Sequence, residues 1–414
     1  MSGAERPALT PESIVVTGLG AVTAFGCGVP PLWEGAREGR CVVGAFDRFD
    51  SSRHRTRIAA QIPLETVPEA ESRRASLADR FAVAAAVEAA GVSGLSRGEL
   101  RSAAVFFGSS NGGLLESERY IEQLLSRGPR RARPGLLASQ QFDCPGNAVA
   151  RALGIAGPTA TISSACASGA MAVGAALRAL RRGDARIAIA GGSDSLCQLT
   201  YAGFNSLRSV DERASRPFRE DRAGLSLGEG AAALVLETAD SALGRGARPI
   251  AVLGGAAATC DAHHMTAPRP DGTAAAEAMA EALRDAKLGP DDVDFINAHG
   301  TGTPQNDAAE AAAIARVFGQ RARTIPVTST KALIGHPLGS AGAVEAVVTV
   351  LCLVRGEVHP MPDAGTRDPA LDLDLVLGRP RKLGRARCAL STSLAFGGTN
   401  AALVFARAGG ADAR

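Results

Sequence analysis

Short apolar runs that end in glycine recur along this chain of 414 residues, with helix-forming segments between them. The first run, 14–20, is rich in β-branched residues and contains Gly18 and Gly20. Runs of this length are typical of buried strands, and their alternation with helices predicts a mostly parallel sheet covered by helices on both faces. The sequence therefore predicts an α/β protein. We expect further strands at 103–108, 186–194, 231–237, 249–255, 294–300 and 325–331.

The predicted elements fall into two series, which suggests two similar halves. The first series closes with 231–237, and the second opens at 249–255 in the same style as the first. Segments 389–393 and 401–405 indicate a closing β-hairpin, and 77–90, 170–177 and 341–354 indicate helices. We expect halves at 13–250 and 251–406, with loose tails at 1–12 and 407–414. Sequence identity between the halves is too weak to establish a repeat.

Composition excludes several classes of function. The net charge of +3 and the 4% aromatic content do not suit binding to a polyanion or stacking on nucleic-acid bases. The eight cysteines include no C-x-x-C pair, which argues against a zinc site or a disulfide framework. We find no signal-peptide pattern and no apolar run of membrane-spanning length, so we expect a cytoplasmic protein without a membrane span. A dinucleotide site at Gly18 and Gly20 is disfavoured because Thr23 stands where the third glycine belongs.

One cysteine stands where a predicted strand passes into a predicted helix. Cys166 follows apolar and small residues and precedes the helix expected at 170–177. Backbone N–H groups and the helix dipole at such a junction favour negative charge, which would lower the pKa of the thiol and make it nucleophilic. Free cysteine is also among the most buried residue types. Cys166 alone therefore leaves both roles open, and we expect the other seven cysteines to be packing residues.

Two histidines lie in glycine-rich loops that follow predicted strands. His299 ends the run 294–300, and His336 lies in the segment 331–339. Ligand sites in open parallel sheets gather at the carboxyl ends of strands, so Cys166, His299 and His336 can meet in space. Either histidine alone would suit a structural role, but the three together predict a catalytic site. We expect no metal, because further ligands with suitable spacing are not found near the pair His263 and His264.

Several motifs, in the same order, closely resemble those of the β-ketoacyl-acyl-carrier-protein synthases, the condensing enzymes of fatty acid and polyketide synthesis. They are the opening strand 16–20, the nucleophile turn 164–169, the central signature at 216–218, 221–222 and 228–230, the segment 261–266, both histidine loops and the turn 396–400. The resemblance covers nearly the whole chain. It implies a thiolase-like α/β fold of two similar halves, layered α-β-α-β-α.

The resemblance also implies a mechanism. Cys166 would take an acyl group from a carrier-bound thioester, and malonyl-carrier would then lose CO₂ so that its carbanion attacks the acyl-cysteine. His299 and His336 would donate hydrogen bonds to the thioester oxygen and stabilise the enolate. The amides of Cys166 and Phe396 resemble the oxyanion hole of the condensation step.

Five further residues match supporting positions of the family. Lys331 and Glu345 match a charged pair near the second histidine. Thr301, Thr303 and Thr266 match the positions that hydrogen-bond the phosphopantetheine arm. The resemblance implies no cofactor, because the substrates are carried on the phosphopantetheine of a carrier protein.

The implied partners are an acyl carrier protein, supplied in trans, and a second subunit. The family dimerises, so we expect a homodimer or a heterodimer with a related ketosynthase-like subunit. Carriers of this family are acidic, which makes the basic run 127–133 a candidate docking patch. A solvated loop explains the same run equally well, and Arg53, Arg55 and Arg57 raise the same question.

Some residues depart from the commonest family pattern. The segment 394–396 replaces the glycine flanked by two phenylalanines that many bacterial fatty acid enzymes carry, and 305–307 is similar to the aromatic-polyketide synthases. The acyl substrate therefore stays open. A chain-length-factor-like subunit without condensing activity is the alternative, and the presence of Cys166, His299 and His336 argues against it. A thiolase would need paired cysteines, and a carrier-independent synthase would need asparagine in place of His336.

Overall fold

The computed structural model describes residues 9–70, 72, 74–384 and 386–408, so most of the two expected tails lies outside the described residues. The strands are β1 Ile14–Thr23, β2 Gly26–Cys27, β3 Gly44–Ala45, β4 Ile58–Ala59, β5 Ala104–Gly108, β6 Thr159–Ile162, β7 Ile187–Asp194, β8 Gly230–Thr238, β9 Ala251–Cys260, β10 Phe295–Asn297, β11 Pro326–Thr328, β12 Glu357–Val358, β13 Asp374–Leu375, β14 Arg381–Lys382, β15 Cys388–Leu394 and β16 Thr399–Arg407. The helices are α1 Val29–Arg37, α2 Leu77–Ser93, α3 Arg97–Ser102, α4 Leu114–Arg127, α5 Cys144–Leu153, α6 Ser168–Arg182, α7 Gln198–Ser206, α8 Ala239–Gly244, α9 Thr273–Asp285, α10 Pro304–Phe318, α11 Lys331–Ile334 and α12 Ala341–Arg355.

The main strands form two sets with the same order. In the first set the strands lie in the order β6-β5-β7-β8-β1, and in the second in the order β11-β10-β15-β16-β9. In both sets the first three strands are parallel to one another, and the last two join by antiparallel pairing. The sets meet where β1 pairs with β9. The predicted α/β fold of two similar halves is confirmed, although the boundary at residue 250 stays a prediction.

Two helices lie between the two halves. Helix α6 packs on β5 and β7, α12 packs on β8 and β15, and the two helices pack against each other. Helix α2 covers the outer face of the first set, and α9 covers the outer face of the second. The resulting layers are helix, sheet, helix, sheet, helix, in agreement with the α-β-α-β-α prediction. The loops before α6 and α12 are thereby brought together.

The apolar composition of α12 comes from its central position. Residues Ala341 to Leu353 are buried on every side of the helix, and a helix that is apolar all round belongs in a core or a membrane. The segment Leu338–Arg355 is in fact long and apolar enough to span a membrane by length and composition, which corrects our expectation that no such run occurs. In the structure 83% of that window is buried inside the protein.

Most predicted elements lie where the sequence placed them, but the strands that lead to the histidines are shorter. Strand β10 ends at Asn297 and β11 ends at Thr328. His299 therefore lies in the loop after β10, and His336 lies after the short helix α11 that follows β11. The hairpin of β15 and β16 is confirmed, and its second strand, β16, also pairs with β9.

Candidate active site

Cys166 lies in a tight turn between β6 and α6. The residue before it, Ala165, has a φ of +44°, a conformation that costs a non-glycine residue about 1–3 kcal/mol. Ser168 holds the turn, because its hydroxyl donates to the Ala165 carbonyl (2.6 Å) and accepts from the Ser164 amide (2.8 Å). The Cys166 side chain is buried, with 7% exposure. The sequence correctly placed this cysteine at a strand-to-helix junction.

Burial outweighs every favourable charge around the thiol. It raises the pKa of Cys166 to about 11, while the Lys331 cation and the amides of Phe396 and Cys166 itself lower the pKa against that effect. The negative charge of Asp194 raises it further. The expected lowering of the pKa by the helix start is therefore wrong for the resting site, because the thiolate would lose its water shell. The thiol is protonated at neutral pH.

The two predicted histidines are neighbours in the structure. The ring centroids of His299 and His336 lie 5.4 Å apart, and the rings are nearly perpendicular (86°). Burial lowers the pKa of both imidazoles well below the usual range, and the Lys331 cation lowers both further. Both rings are therefore neutral at pH 7.

Their hydrogen bonds assign the proton to the same nitrogen in each ring. The Lys331 ammonium can only donate, so His299 Nδ1, at 3.0 Å from it, is the acceptor. His336 Nδ1 accepts from the Leu338 amide at 3.2 Å. Each neutral ring then carries its proton on Nε2. His336 Nε2 has no hydrogen-bond partner among the described residues, so a buried donor is available to a substrate oxygen.

Lys331 and Glu345 form a buried ion pair beside the first histidine. Lys331 lies at the start of α11 and Glu345 in α12, and both are almost fully buried. The ammonium also donates to the His299 carbonyl at 2.7 Å, so its three protons go to Glu345, the carbonyl and His299 Nδ1. The resemblance predicted this pair near the second histidine, whereas its hydrogen bonds go to His299. The pair fixes the His299 ring in one tautomer.

Sequence reasoning missed two buried carboxylates in α10. Glu310 accepts from the amides of His299 (2.7 Å) and Gly300 (2.8 Å), so it holds the backbone of the histidine loop. Asp307 accepts from Phe218 N at 2.7 Å and Gly302 N at 3.2 Å. The signal was their spacing, because residues three apart lie on one face of a helix.

The three threonines assigned to the pantetheine arm lie in two loops. The hydroxyls of Thr301 and Thr303 are 3.0 Å apart, and Thr301 is buried whereas Thr303 is half-buried. Thr266 lies in a separate turn, where its amide donates to His264 Nδ1 at 3.1 Å. This contact gives His264 a structural role. No described contact joins Thr266 to the other two threonines, so the common role of the three stays a prediction.

Phe396 contributes both its amide and its ring. The amide faces the Cys166 thiol, which suits the predicted oxyanion hole. The ring stacks on Phe204 of α7, with centroids 5.5 Å apart and an angle of 28°. The next residue, Gly397, donates its amide to the Met265 carbonyl at 2.8 Å, so the Phe396 turn lies beside the turn that carries Thr266.

The remaining cysteines differ in their burial. Cys197, Cys352 and Cys388 are buried, as expected of packing residues, whereas Cys260 is exposed, which corrects our expectation for it. Over the described ranges, no group of three or more His, Cys, Asp and Glu side chains is placed to hold a metal ion.

Comparison with known proteins identifies the family. The model described as "Beta-ketoacyl synthase, N-terminal domain" matches residues 11–242, and the one described as "Beta-ketoacyl synthase, C-terminal domain" matches residues 250–364. The chain is 40% identical over 410 residues to the 3-oxoacyl-[acyl-carrier-protein] synthase 2 of Synechocystis sp., a match that covers 96% of this chain and 98% of that protein.

Two solved structures have the same fold over nearly the whole chain. The ishigamide ketosynthase/chain length factor superposes with a TM-score of 0.91 at 33% identity, covering 98% of this chain and 100% of that one. A type II PKS acyl-carrier protein in complex with its ketosynthase bound to the hexaketide (AntDE:AntF) superposes with a TM-score of 0.85 at 31% identity, covering 96% and 100%. The chain therefore belongs to the β-ketoacyl synthase family, the condensing enzymes that its motifs resemble.

Proposed function

We propose that this enzyme catalyses the decarboxylative Claisen condensation of an acyl group on Cys166 with malonyl-carrier protein, in fatty acid or type II polyketide synthesis. The observation that carries the proposal is the pair of neutral imidazoles, His299 and His336, that both present an Nε2–H group. Two such donors can bind one thioester oxygen, and they favour the enolate on which charge develops.

In the first step the acyl group moves to the protein. The Cys166 sulfur attacks the acyl thioester, the carbon–sulfur bond to the carrier breaks, and the thiol proton leaves with the carrier sulfur. The amides of Cys166 and Phe396 both face the attacking sulfur, which suits stabilisation of the oxyanion formed at the carbonyl.

In the second step the malonyl carbon becomes the nucleophile. The carbon–carbon bond to the carboxylate breaks and CO₂ leaves, while Nε2–H of His299 and of His336 stabilise the enolate oxygen. The enolate carbon then attacks the acyl carbonyl, the bond to Cys166 breaks, and the released thiolate takes up a proton from water. Neutral imidazoles suit this role because they donate a hydrogen bond and need not transfer a proton.

The arm that delivers both substrates is a phosphopantetheine, and we assign its contacts to Thr301, Thr303 and Thr266. The first two hydroxyls lie next to each other after the His299 loop. Thr266 lies beside the Phe396 turn, because the amide of Gly397 donates to the carbonyl of the preceding residue, Met265. We propose no dissociable cofactor. The chemistry needs a free thiol, which the reducing cytoplasm maintains.

The carrier partner is proposed to dock on the basic run at 127–133. Its four arginines, Arg127, Arg130, Arg131 and Arg133, are all exposed. By contrast, Arg55 and Arg57 hydrogen-bond to backbone carbonyls of the protein itself. Replacement of Arg130 and Arg131 by Ala should raise the KM for an acidic carrier and reduce its dependence on salt. Arg53→Ala is the matched control, and an equal effect in the control would contradict this assignment.

The second subunit is proposed to bind along strand β6. This strand lies at the edge of the sheet and pairs only with β5 among the described residues, and Thr159 and Ala160 are exposed. An unprotected edge strand is a template for pairing with another chain. An exposed apolar side chain also lies near this edge. Phe142, with 48% exposure, precedes α5, and α5 packs on β6.

Analytical ultracentrifugation of the purified chain distinguishes the two kinds of dimer. A homodimer forms from this chain alone, whereas a heterodimer needs a related ketosynthase-like subunit. Ala160→Lys should weaken either assembly, and Val92→Lys, at an exposed apolar position on α2, should not. An unchanged dimer in Ala160→Lys would exclude β6 as the interface.

A chain-length-factor-like subunit is the alternative function. The ishigamide structure pairs a ketosynthase with a chain length factor, so the fold alone does not choose between the two roles. The chain carries Cys166, His299 and His336, and the Lys331 cation lowers the pKa of all three groups, which favours the condensing enzyme.

Mass spectrometry tests the first half-reaction directly. The protein is mixed with a panel of acyl-carriers, and the intact mass should increase by the acyl group for the preferred chain lengths. The adduct should map to Cys166 and be absent from Cys166→Ala. An adduct that persists in that variant would overturn the assignment of the nucleophile.

A further inference from the structure

Asp194 is a buried carboxylate that the proposed chemistry does not use. It is the last residue of β7 and has no exposure to solvent. Over the described ranges it forms no ion pair, and all its hydrogen-bond donors are uncharged. A charge without a partner cation is costly to bury, so its retention beside the active site needs an explanation.

The carboxylate binds the loop that supports the nucleophile turn. One oxygen accepts from the Ser109 hydroxyl (2.7 Å) and from the Asn111 amide (2.8 Å), and the Ser110 amide lies 3.0 Å from both oxygens. The Ser110 hydroxyl in turn donates to the Ala165 carbonyl at 2.9 Å. Asp194 is thus two hydrogen bonds away from the strained residue that precedes Cys166.

The other oxygen binds the loop that carries the second histidine. It accepts from the Gly339 amide at 2.7 Å, and the neighbouring Leu338 amide holds His336 Nδ1. The contact is tight, because a Cβ added at Gly339 would lie 2.6 Å from the carboxylate and 2.5 Å from Ser110 Oγ. The two loops are therefore clamped on one side chain.

The same charge also acts on the reactive sulfur. Two charged groups affect the Cys166 thiol, the Lys331 cation, which lowers its pKa, and Asp194, which raises it. Cys197 is the other thiol whose pKa is raised by Asp194, after the larger effect of burial. Burial raises the pKa of Asp194 itself to about 6 against its amide and hydroxyl donors, so the carboxylate is ionised at neutral pH.

We propose that Asp194 is a positioning residue that clamps the Cys166 turn against the His336 loop and places a fixed negative charge beside the thiol. Burial, helped by this charge, keeps the resting sulfur protonated, while the clamp holds the turn of Cys166 against the loop of His336. This role deepens the proposed function, since it concerns the same site.

Titration of the thiol in Asp194→Asn tests the charge without any substrate. The absorbance of the thiolate at 240 nm is followed against pH, and the curve of Asp194→Asn/Cys166→Ala is subtracted to isolate Cys166. Removal of the negative charge should shift the titration of Cys166 to lower pH by about one unit, a tenfold change in its ionisation constant. An unchanged or higher midpoint would overturn the proposal.

Two variants separate charge from loosened structure. Ser110→Ala removes the hydroxyl that holds Ala165 but leaves the carboxylate, so the midpoint of Cys166 should stay within about 0.3 units of wild type. Asp307→Asn removes another buried carboxylate, whose pKa burial also raises to about 6, and it should not shift the thiol either. An equal shift in either control would show that Asp194 has no specific effect on the sulfur.

Steady-state kinetics tests the clamp. The amide of Asp194→Asn can keep its oxygen toward Ser109 to Asn111, but its N–H₂ group then faces the Gly339 amide, donor against donor. We expect kcat of condensation to fall by about tenfold to a hundredfold because a misplacement near 1 Å has such a cost, with KM for the carrier nearly unchanged. A rise in KM at constant kcat would contradict the positioning role.

Ser109→Ala provides a test if Asp194→Asn does not fold. Loss of one donor to the carboxylate should raise the pKa of Asp194 and move the acidic limb of kcat to higher pH. Glu345, whose pKa burial raises to about 7, titrates above Asp194 and can set the limb by itself, so the comparison is made with Glu345→Gln in both proteins. An acidic limb at the same pH with and without Ser109→Ala would overturn the proposal. If wild type forms no β-ketoacyl product, the proposed function fails, while the thiol titration still tests Asp194.

Discussion

The two halves of the molecule share one strand order but carry different chemistry at equivalent strand ends. The second strand of each parallel set, β5 or β10, leads to the turn with Ser110 in the first half and to His299 in the second. The first strand of each set, β6 or β11, leads to Cys166 in the first half and to Lys331 in the second. The two halves thus have the same strand order but carry different side chains at equivalent strand ends.

The difference in charge between the halves matches the two steps of the reaction. The first half provides a protonated thiol and the anionic Asp194. This thiol is unreactive in the resting enzyme and loses its proton only during acyl transfer from a bound substrate. The second half provides a cation and two neutral donors around it, which suits an oxygen that becomes negative. Because α6 and α12 pack together, the two sets face each other across one site.

The largest expected effect comes from removing the nucleophile of the first half while the second half stays intact. Cys166→Ala should abolish condensation, with a loss of at least about 10³-fold in kcat/KM, since removal of a nucleophile removes its covalent pathway. Acyl transfer is measured by intact mass and condensation by release of β-ketoacyl product. Cys388→Ala, another buried thiol, is the control and should stay close to wild type.

A second variant at the same position shows whether the halves act separately. Cys166→Gln should also stop condensation yet keep malonyl decarboxylation, because the imidazole donors are untouched. Release of CO₂ from malonyl-carrier is the measurement. Condensation that continues in this variant would contradict the role of Cys166.

The next largest effect comes from removing one hydrogen-bond donor of the second half while the first half stays intact. His336→Ala removes one Nε2–H donor, and loss of one such donor typically costs about 10²–10³-fold in the rate of the step it serves. Decarboxylation and condensation should fall by this factor, while acylation of Cys166 should stay within about threefold of wild type. Retained acylation also shows that the variant is folded. Equal loss of both steps would mean that the halves cannot be assigned separate steps.

Much of this division was visible in the sequence because it depends on local patterns. Apolar runs that end in glycine placed the strands, and the glycine-rich loops after them marked Cys166, His299 and His336. The pKa of the Cys166 thiol was predicted in the wrong direction, because burial raises it and burial depends on the tertiary packing of distant segments and not on residues near the cysteine. Asp194 gave no signal of its own, since a single acidic residue at the end of a strand is usually exposed to solvent.

The Lys331–Glu345 contact shows a second limit of the sequence. The resemblance matched the two residues as a pair near the second histidine, whereas the ammonium binds the first one, His299. That choice is made in three dimensions, where Lys331 reaches both the carbonyl and Nδ1 of His299. The tautomer of His299, and with it the donor available to a substrate, follows only from this geometry.

The ion pair should also appear in the pH dependence of stability. Burial raises the pKa of Glu345 from 4.5 to about 7, against Lys331. An acid with a raised pKa binds its proton more tightly in the folded state, so its contribution to the free energy of unfolding falls as pH rises from 4.5 to about 7. Glu345→Gln lacks this titration, and the stability of wild type relative to the variant should fall by roughly 1–3 kcal/mol across that range.

Urea unfolding at pH 5, 6, 7 and 8 measures this difference. Glu277→Gln, on the exposed surface of α9, is the control and should follow the wild-type curve. The histidines with lowered pKa values act in the opposite direction below pH 6.5, but they are present in all three proteins and cancel in the comparison. If the free energy of unfolding has the same pH dependence in wild type and Glu345→Gln, the raised pKa assigned to Glu345 is wrong.

The smallest expected effect concerns the approach to the site and not the reaction in it. Thr303→Val keeps the shape of the side chain but removes the hydroxyl that lies 3.0 Å from Thr301 Oγ1. Loss of one neutral hydrogen bond to a bound ligand is worth about 0.5–1.5 kcal/mol, or roughly a threefold to tenfold rise in KM for malonyl-carrier. Thr324→Val, at an exposed threonine, is the control. A fall in kcat at constant KM would instead place Thr303 with the groups that act on the enolate, and the separation between delivery and chemistry in the second half would no longer hold.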